Sequence, residues 1–245
     1  MEAYDITSFE QRLDGIHDRI AAAAARAGRS PDDIQLVAVS KTFPPDVVDA
    51  AQRADVSVFG ESRVQEALAK AAACGAAEWH FIGRLQRNKV RHALSLFTTI
   101  HSVDSLPLLH DIARIQDETG ARPRLLLQVN VAGEASKIGF SPATVRSALR
   151  EALDIGGIDI VGLMTLPPWV PDPELSRPHF QTLRTLRDAL QDDVGISLPE
   201  LSMGMSGDFE VAIEEGATFV RIGTALFGKR GSWKPQRSLD TDDFV

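Results

Sequence analysis

The chain of 245 residues has the length of one large α/β domain or of two small ones, and it is 44% hydrophobic and 24% charged, as ordinary globular proteins are. Its formal net charge of -8 disfavours binding to nucleic acids and to anionic membrane surfaces. Its single cysteine, Cys74, excludes an intramolecular disulfide, a cysteine-based zinc site and an iron–sulfur cluster.

The N-terminal residues carry acidic groups and lack the basic-then-apolar pattern of a secretory signal. No apolar run approaches the ~20 residues that a helix needs to span a bilayer. We therefore expect a cytoplasmic protein without a membrane anchor.

Apolar residues recur at helical spacing from Phe9 to Ala24, which predicts a first helix with Ser8 as its N-cap and Gly28 at its end. Beyond it, short runs of Val, Ile, Leu or Phe alternate with turns and longer helical segments. Such apolar runs are typical of parallel strands that are covered on both faces. They predict eight strands, at Gln35–Val39, Val56–Phe59, Trp79–Ile82, Thr98–His101, Arg124–Val131, Ile158–Met164, Leu198–Ser202 and Phe219–Ile222.

Eight strands alternating with helices predict an α/β fold, a single (β/α)8 TIM barrel with an extra N-terminal helix. An open doubly wound sheet is the alternative, which the count of eight disfavours. Residues 1–230 are expected to form the barrel domain and residues 231–245 a polar C-terminal tail. Ser62 is expected to open a capping box for the helix after the second strand. The proline-rich loop Pro167–Pro173 follows the sixth strand, either at the active-site end or as a surface connector.

Lys41 directly follows the first strand, at the end of a barrel where ligands bind. Burial of an unpaired ammonium group is costly and would lower the pKa of the amine, which could then form a Schiff base with a carbonyl. The alternative is a lysine that reaches solvent or pairs with a carboxylate.

The seventh and eighth strands run into small residues that include Ser206, Gly223 and Thr224. Backbone N–H groups at such turns bind phosphate, and barrels often use the loops after these two strands. The alternatives are an ordinary N-cap at Ser206 and an ordinary turn at Gly223. Arg221 either points inward beside a ligand or pairs with a barrel carboxylate. These features together predict a ligand with a carbonyl and a phosphate, such as pyridoxal 5′-phosphate (PLP) or the substrate of a sugar-phosphate aldolase.

Other polar residues are weaker candidates. His80 and His101 are interpreted as hydrogen-bonded core histidines or pocket walls, and the absence of a closely spaced histidine pair gives a metal site little support. The basic stretch Arg84–Arg91 is interpreted as a solvated face or a subunit contact. Lys137, after the fifth strand, either approaches the same mouth as Lys41 or is a loop charge.

Eight segments carry a resemblance to a known family: Leu36–Thr42, Phe59–Ala67, Trp79–Lys89, Gln128–Val131, Lys137–Phe140, Gly162–Thr165, Leu201–Phe209 and Val220–Gly228. They span most of the chain, and together they resemble the PLP homeostasis proteins. The resemblance implies an alanine-racemase-like barrel that binds PLP in vitamin B6 homeostasis.

By the resemblance, Lys41 is the residue that holds PLP as an aldimine, and Ser206, Gly223 and Thr224 hold its phosphate. Arg221 then stands near the pyridine nitrogen, where a fixed positive charge disfavours ring protonation and weakens the cofactor as an electron sink. Ser62 departs from the family, which more often has asparagine there, so a hydrogen bond from that asparagine is not expected in this chain. The implied partners are PLP and apo forms of PLP-dependent enzymes, and we expect a monomer or a weak homodimer.

Two functional classes remain open, a PLP carrier without efficient catalysis and a single-domain PLP-dependent amino-acid racemase. Racemisation needs an acid or base on each face of the substrate carbon. Lysine supplies one, and in the related two-domain racemases a tyrosine from a β-rich second domain supplies the other. This chain has no residues left for such a domain, and its only tyrosine, Tyr4, precedes the first helix. We therefore expect a carrier, with no catalytic residues.

Overall fold

Eight parallel strands pair in chain order and close on themselves, the last with the first, in a computed structural model that describes residues 5–134 and 138–228. The C-terminal tail expected at 231–245, Tyr4 and Lys137 lie outside the described residues. The strands are β1 (Gln35–Val39), β2 (Val58–Glu61), β3 (Glu78–Phe81), β4 (Thr99–Val103), β5 (Arg124–Gln128), β6 (Asp159–Met164), β7 (Glu200–Met205) and β8 (Phe219–Ile222). The predicted barrel is thus confirmed and the open sheet is not formed.

One helix precedes the first strand, as predicted, and further helices follow the strands and cover the barrel from outside. Those of the described residues are α1 (Ile6–Arg26), α2 (Pro45–Arg53), α3 (Val64–Ala73), α4 (Val90–Leu94), α5 (Leu106–Thr119), α6 (Val145–Ile155), α7 (Arg177–Val194), α8 (Phe209–Glu214) and α9 (Thr224–Phe227). Across residues 5–134 and 138–228, every helix is too short or too polar to traverse a bilayer.

Two apolar layers result from the alternation of side chains along each strand. One face of β1 places Leu36 and Ala38 among the helices, and the other places Val37 inside the barrel. The inner layer consists of Val37, Val58, Leu126, Val161, Met164 and Phe219. Because both faces of the strands are buried, their sequences are apolar runs rather than alternating patterns.

Two predicted helix caps are wrong. Asp5, not Ser8, caps α1: its carboxylate accepts hydrogen bonds from the Ser8 backbone N–H (3.1 Å) and the Ser8 hydroxyl (2.5 Å). Ser62 does not cap α3, which begins at Val64 without a side-chain cap. The reason is that β2 continues through Glu61, so that Ser62 belongs to the turn between strand and helix.

Candidate functional site

A cavity of about 480 Å³ lies at the carboxyl ends of the strands and is lined by all five residues that the sequence singled out. They are Lys41, Ser206, Arg221, Gly223 and Thr224. Cavities of roughly 300–1,000 Å³ are typical of small-molecule sites. The folded chain therefore brings the candidate amine, the candidate phosphate loops and a buried guanidinium to one place.

The walls of this cavity, which we call the mouth cavity, are largely apolar. Val39, Phe43 and Ile82 contribute on the side of the early strands, and the proline-rich loop contributes Pro168 and Trp169. The loop therefore lies at the active-site end, although Trp169 itself remains 86% exposed. Apolar walls with a few convergent polar groups are the usual composition of a cofactor site.

Ser206 occupies a small cradle of backbone amides. Its hydroxyl oxygen accepts hydrogen bonds from the N–H groups of Gly223 and Ala225, both at 3.3 Å. A Cβ atom on residue 223 would lie 3.3 Å from both the Cβ and the carbonyl oxygen of Val39, so glycine lets the turn approach β1 closely. N–H groups that converge in this way can bind the oxygens of an anion.

The loop that carries Ser206 is held in a fixed shape. Gly204 has a φ of +87°, and a Cβ atom there would lie 2.6 Å from the Cβ of Ala212. After the turn, Asp208 accepts hydrogen bonds from the Met205 backbone N–H (2.7 Å) and the Ser176 hydroxyl (3.1 Å). Both oxygens of that carboxylate are thus engaged within the loop and its neighbour.

Arg221 points into the barrel and is almost completely buried. It donates one hydrogen bond to the Ser202 hydroxyl and another to the Thr165 carbonyl oxygen (2.9 Å). Burial lowers its pKa to about 10, while the nearby Asp208 carboxylate opposes the shift. The side chain therefore stays positive at neutral pH, and within the described residues it forms no ion pair with a barrel carboxylate.

A chain of hydrogen bonds continues from Arg221 through the interior of the barrel. The Ser202 hydroxyl lies 2.7 Å from Nδ1 of His101, and Nε2 of His101 lies 3.0 Å from Nδ1 of His80. Nε2 of His80 then lies 3.0 Å from the Glu78 carboxylate. The two histidines are therefore hydrogen-bonded core residues, as one of the two interpretations had it.

The direction of this chain follows from its ends. Arg221 can only donate and the Glu78 carboxylate can only accept, and a chain in which each group between them accepts one hydrogen bond and donates the next satisfies both ends. In such a chain His101 is neutral, accepting at Nδ1 and donating at Nε2. Burial, with the neighbouring His80 and Arg221, lowers the pKa of His101 well below its ordinary value, which favours the neutral ring.

Sequence reasoning missed Ser202 and Thr165, which orient Arg221. Both lie near the ends of strands, but no sequence pattern distinguishes their polar groups from those of other buried residues. Three arginines of the basic stretch reach acidic side chains: Arg84 with Asp104 (3.9 Å), Arg87 with Asp111 and Arg91 with Glu118. All three arginines are exposed on the single chain, which fits both a solvated face and a subunit contact.

Comparison with known proteins places the chain among recognisable relatives. Residues 12–231 match the family "Alanine racemase, N-terminal domain". A pyridoxal phosphate homeostasis protein of Aquifex aeolicus is 45% identical over 222 residues, which cover 90% of this chain and 97% of the relative. That of Escherichia coli K12 is 38% identical over 228 residues, covering 88% and 94%.

Solved structures agree with this assignment. PipY of Synechococcus elongatus, determined with PLP bound, superposes with a TM-score of 0.78 at 38% identity and covers 90% of this chain and 100% of its own. An alanine racemase of Clostridium difficile superposes with a TM-score of 0.73 at 15% identity, and the match covers 89% of this chain but 56% of the racemase. The racemase thus shares the barrel fold and extends well beyond it.

Proposed function

The chain belongs to the family of pyridoxal phosphate homeostasis proteins, and from this premise we propose that it binds PLP at the mouth cavity and holds it on Lys41 without efficient catalysis. When bound, PLP supplies an aldehyde that condenses with a lysine amine and a phosphate that needs an anion site. The observation that carries the proposal is the convergence of Lys41, Arg221 and the Ser206 cradle on one cavity.

The residues of the cavity suit such a ligand. The amine of Lys41 and the amide cradle of Ser206, Gly223 and Ala225 offer separate positions for a carbonyl and an anion. Apolar walls, among them Ile82, can face an aromatic ring. We assign the phosphate to Ser206, Gly223 and Thr224.

We assign Arg221 to the ring nitrogen of the ligand. Its hydrogen bonds to Ser202 and Thr165 fix the guanidinium, and its positive charge disfavours a proton on a nitrogen that faces it. A ring that stays unprotonated withdraws electrons weakly. Arg221 thus supports binding of the cofactor and weakens its power in carbanion chemistry.

The lining of the cavity also favours a carrier over a racemase. Among the described residues that line it, Lys41 is the only amine, and tyrosine, histidine and cysteine are absent. The one carboxylate, Asp208, accepts hydrogen bonds from Met205 and Ser176 and lies in the loop of the proposed phosphate site. A second acid or base opposite Lys41 is therefore not provided by these residues. The exposed Trp169 leaves this side of the mouth open to solvent, as release to an apo enzyme requires.

The test is to load the protein with PLP, remove free cofactor by gel filtration, and incubate the loaded protein with L-alanine. Chiral chromatography measures D-alanine, and absorbance measures the cofactor that stays bound. We expect about one PLP bound per chain, and no more D-alanine than free PLP forms in buffer. Rapid racemisation that disappears in Lys41→Ala would establish the racemase instead.

A further inference from the structure

We propose that a buried cluster of Glu61, Glu66 and Lys70 acts as a clamp on the backbone at both sides of Lys41 and thereby sets how tightly the protein holds a carbonyl ligand. The inference rests on the proposed function, because it concerns the amine to which PLP is assigned. The three residues are positioning residues, since they act on Lys41 through its neighbours Ser40 and Thr42.

The cluster is dry and tightly connected. Lys70 on α3 is completely buried, and its Nζ lies 2.5 Å from Oε1 of Glu61 and 2.9 Å from Oε1 of Glu66. Glu61 is completely buried and Glu66 is 3% exposed. One ammonium group therefore bridges a strand carboxylate and a helix carboxylate immediately behind the end of β1.

Each residue next to Lys41 is bound to this cluster. The Ser40 hydroxyl donates to Oε1 of Glu61 (2.7 Å), and the Ser40 carbonyl oxygen accepts from Nζ of Lys70 (2.8 Å). On the other side, the Thr42 backbone N–H donates to Oε1 of Glu66 (2.5 Å). The clamp thus fixes the peptide groups before and after Lys41, while the side chain of Lys41 lines the cavity.

The conformation of Thr42 shows why a clamp is needed. Its φ is +70°, in the left-handed region that a β-branched residue adopts only when its surroundings enforce it. The hydrogen bond to Glu66 fixes this N–H, and the turn directs the chain from β1 towards Phe43 and α2. Without that acceptor, Thr42 would relax and carry Lys41 with it.

Stability alone does not explain the cluster. Buried ion pairs contribute little net stability compared with well-packed apolar residues. Burial raises the pKa of Glu61, and its Oε2 atom has no hydrogen-bond partner among the described residues. A costly arrangement of this kind beside Lys41, the lysine that lines the cavity, suits preorganisation of its amine.

Glu66→Ala and Glu66→Gln test the clamp as a matched pair. Glutamine keeps an oxygen that accepts from the Thr42 N–H, and alanine removes it. Hydrogen exchange of the Thr42 amide in the protein without ligand should be faster in Glu66→Ala and close to wild type in Glu66→Gln. The Kd for PLP should rise by about tenfold or more in Glu66→Ala and by less than about threefold in Glu66→Gln.

Thr42→Gly and Leu149→Ala separate positioning from general stability. Glycine adopts the left-handed conformation without strain, so Thr42→Gly should restore part of the affinity that Glu66→Ala loses when the two are combined. Leu149 is fully buried on α6, after the strand opposite β1, and Leu149→Ala should lower the melting temperature without changing the Kd for PLP. If Glu66→Ala does not fold, Ser40→Ala repeats the test from the other side of Lys41.

The outcomes distinguish this inference from the proposed function. Borohydride-reducible PLP on Lys41 in the wild type, with equal Kd values in Glu66→Ala and Glu66→Gln, overturns the clamp and leaves the proposed function standing. A wild-type protein that attaches no PLP to Lys41 overturns both. A loss of affinity in Leu149→Ala as large as that in Glu66→Ala also overturns the clamp.

Discussion

Replacing His101 with glutamine should make the stability of the protein less dependent on pH below neutrality. His101 is completely buried between Ser202 and His80, and its neutral ring accepts one hydrogen bond and donates the other in this chain. Burial, the neighbouring His80 and the positive Arg221 lower the pKa of His101 well below 6.5 in the folded protein. The unfolded chain keeps the ordinary value.

The size of the effect follows from proton linkage. As pH falls below 6.5, the unfolded chain binds a proton at His101 and the folded protein does not, so the unfolded state gains stability. His101 therefore contributes fully to the free energy of unfolding above pH 6.5. This contribution is lost as the pH falls from 6.5 towards the lowered pKa of His101 in the folded protein. Between pH 7.5 and 5.5 this loss amounts to about 1.4 kcal/mol in the free energy of unfolding. The raised pKa of Glu61, caused by burial, acts in the opposite direction.

Urea unfolding at pH 7.5, 6.5 and 5.5, followed by circular dichroism, measures the difference. Relative to His101→Gln, the wild type should lose about 1.4 kcal/mol over this range, and the comparison cancels Glu61 because both proteins contain it. His92→Gln is the matched control, because solvent surrounds that exposed side chain in both the native and the unfolded state. If the free energy of unfolding depended on pH equally in wild type and His101→Gln, the inference that the buried ring is neutral would be refuted.

Two further substitutions test the loops of the cavity. Gly204→Ala should reduce the free energy of unfolding by about 2–4 kcal/mol, since it combines a φ of +87° with a Cβ contact of 2.6 Å to Ala212. Gly120→Ala, with a φ of +76° and no atom within 4 Å of its Cβ, should lose about 1–2 kcal/mol, and equal losses in urea unfolding would contradict the contact argument. Ser206→Ala should raise the Kd for PLP about tenfold or more, because a hydrogen bond to a charged group contributes about 1.5–3 kcal/mol. Pyridoxal, which lacks the phosphate, should bind Ser206→Ala and wild type alike, and an equal loss for both ligands would remove Ser206 from the phosphate site.

Much of the fold could be predicted because both faces of the strands are buried. β1 and β8 match their predicted ranges, Gln35–Val39 and Phe219–Ile222, since turns bound these apolar runs clearly. The fifth strand ends at Gln128 instead of Val131, although the apolar run continues. After Gln128 the regular pairing ends: the Val129 N–H still donates to the Met164 carbonyl oxygen (2.8 Å), but Val129 itself forms an isolated bridge with Phe140.

The seventh strand shows the opposite error. The apolar pattern predicts a strand at Leu198–Ser202, but β7 runs from Glu200 to Met205. Glycine and methionine are weak indicators of a strand, but Gly204 lets the backbone pass close to α8, and the strand continues through it.

The sequence predicts those residues of the candidate site that lie at the ends of strands. The sequence placed Lys41, Ser206, Arg221, Gly223 and Thr224 at three strand ends of a barrel, and the structure gathers them around one cavity. Their roles towards PLP stay predictions. The clamp was not predictable, because Glu66 and Lys70 at i and i+4 resemble an ordinary surface ion pair. Only the packing of α3 against β2, and its hydrogen bonds to Ser40 and Thr42 after β1, show that the pair is buried.

Peptide mapping after borohydride reduction shows whether Lys41 is the residue that holds PLP. The purified protein is incubated with PLP, reduced and digested, and the modified peptide is identified by mass spectrometry. We expect a phosphopyridoxyl group on Lys41 in nearly every chain, and none in Lys41→Ala. A modification spread over other lysines, or a wild-type protein that stays unmodified, would contradict it.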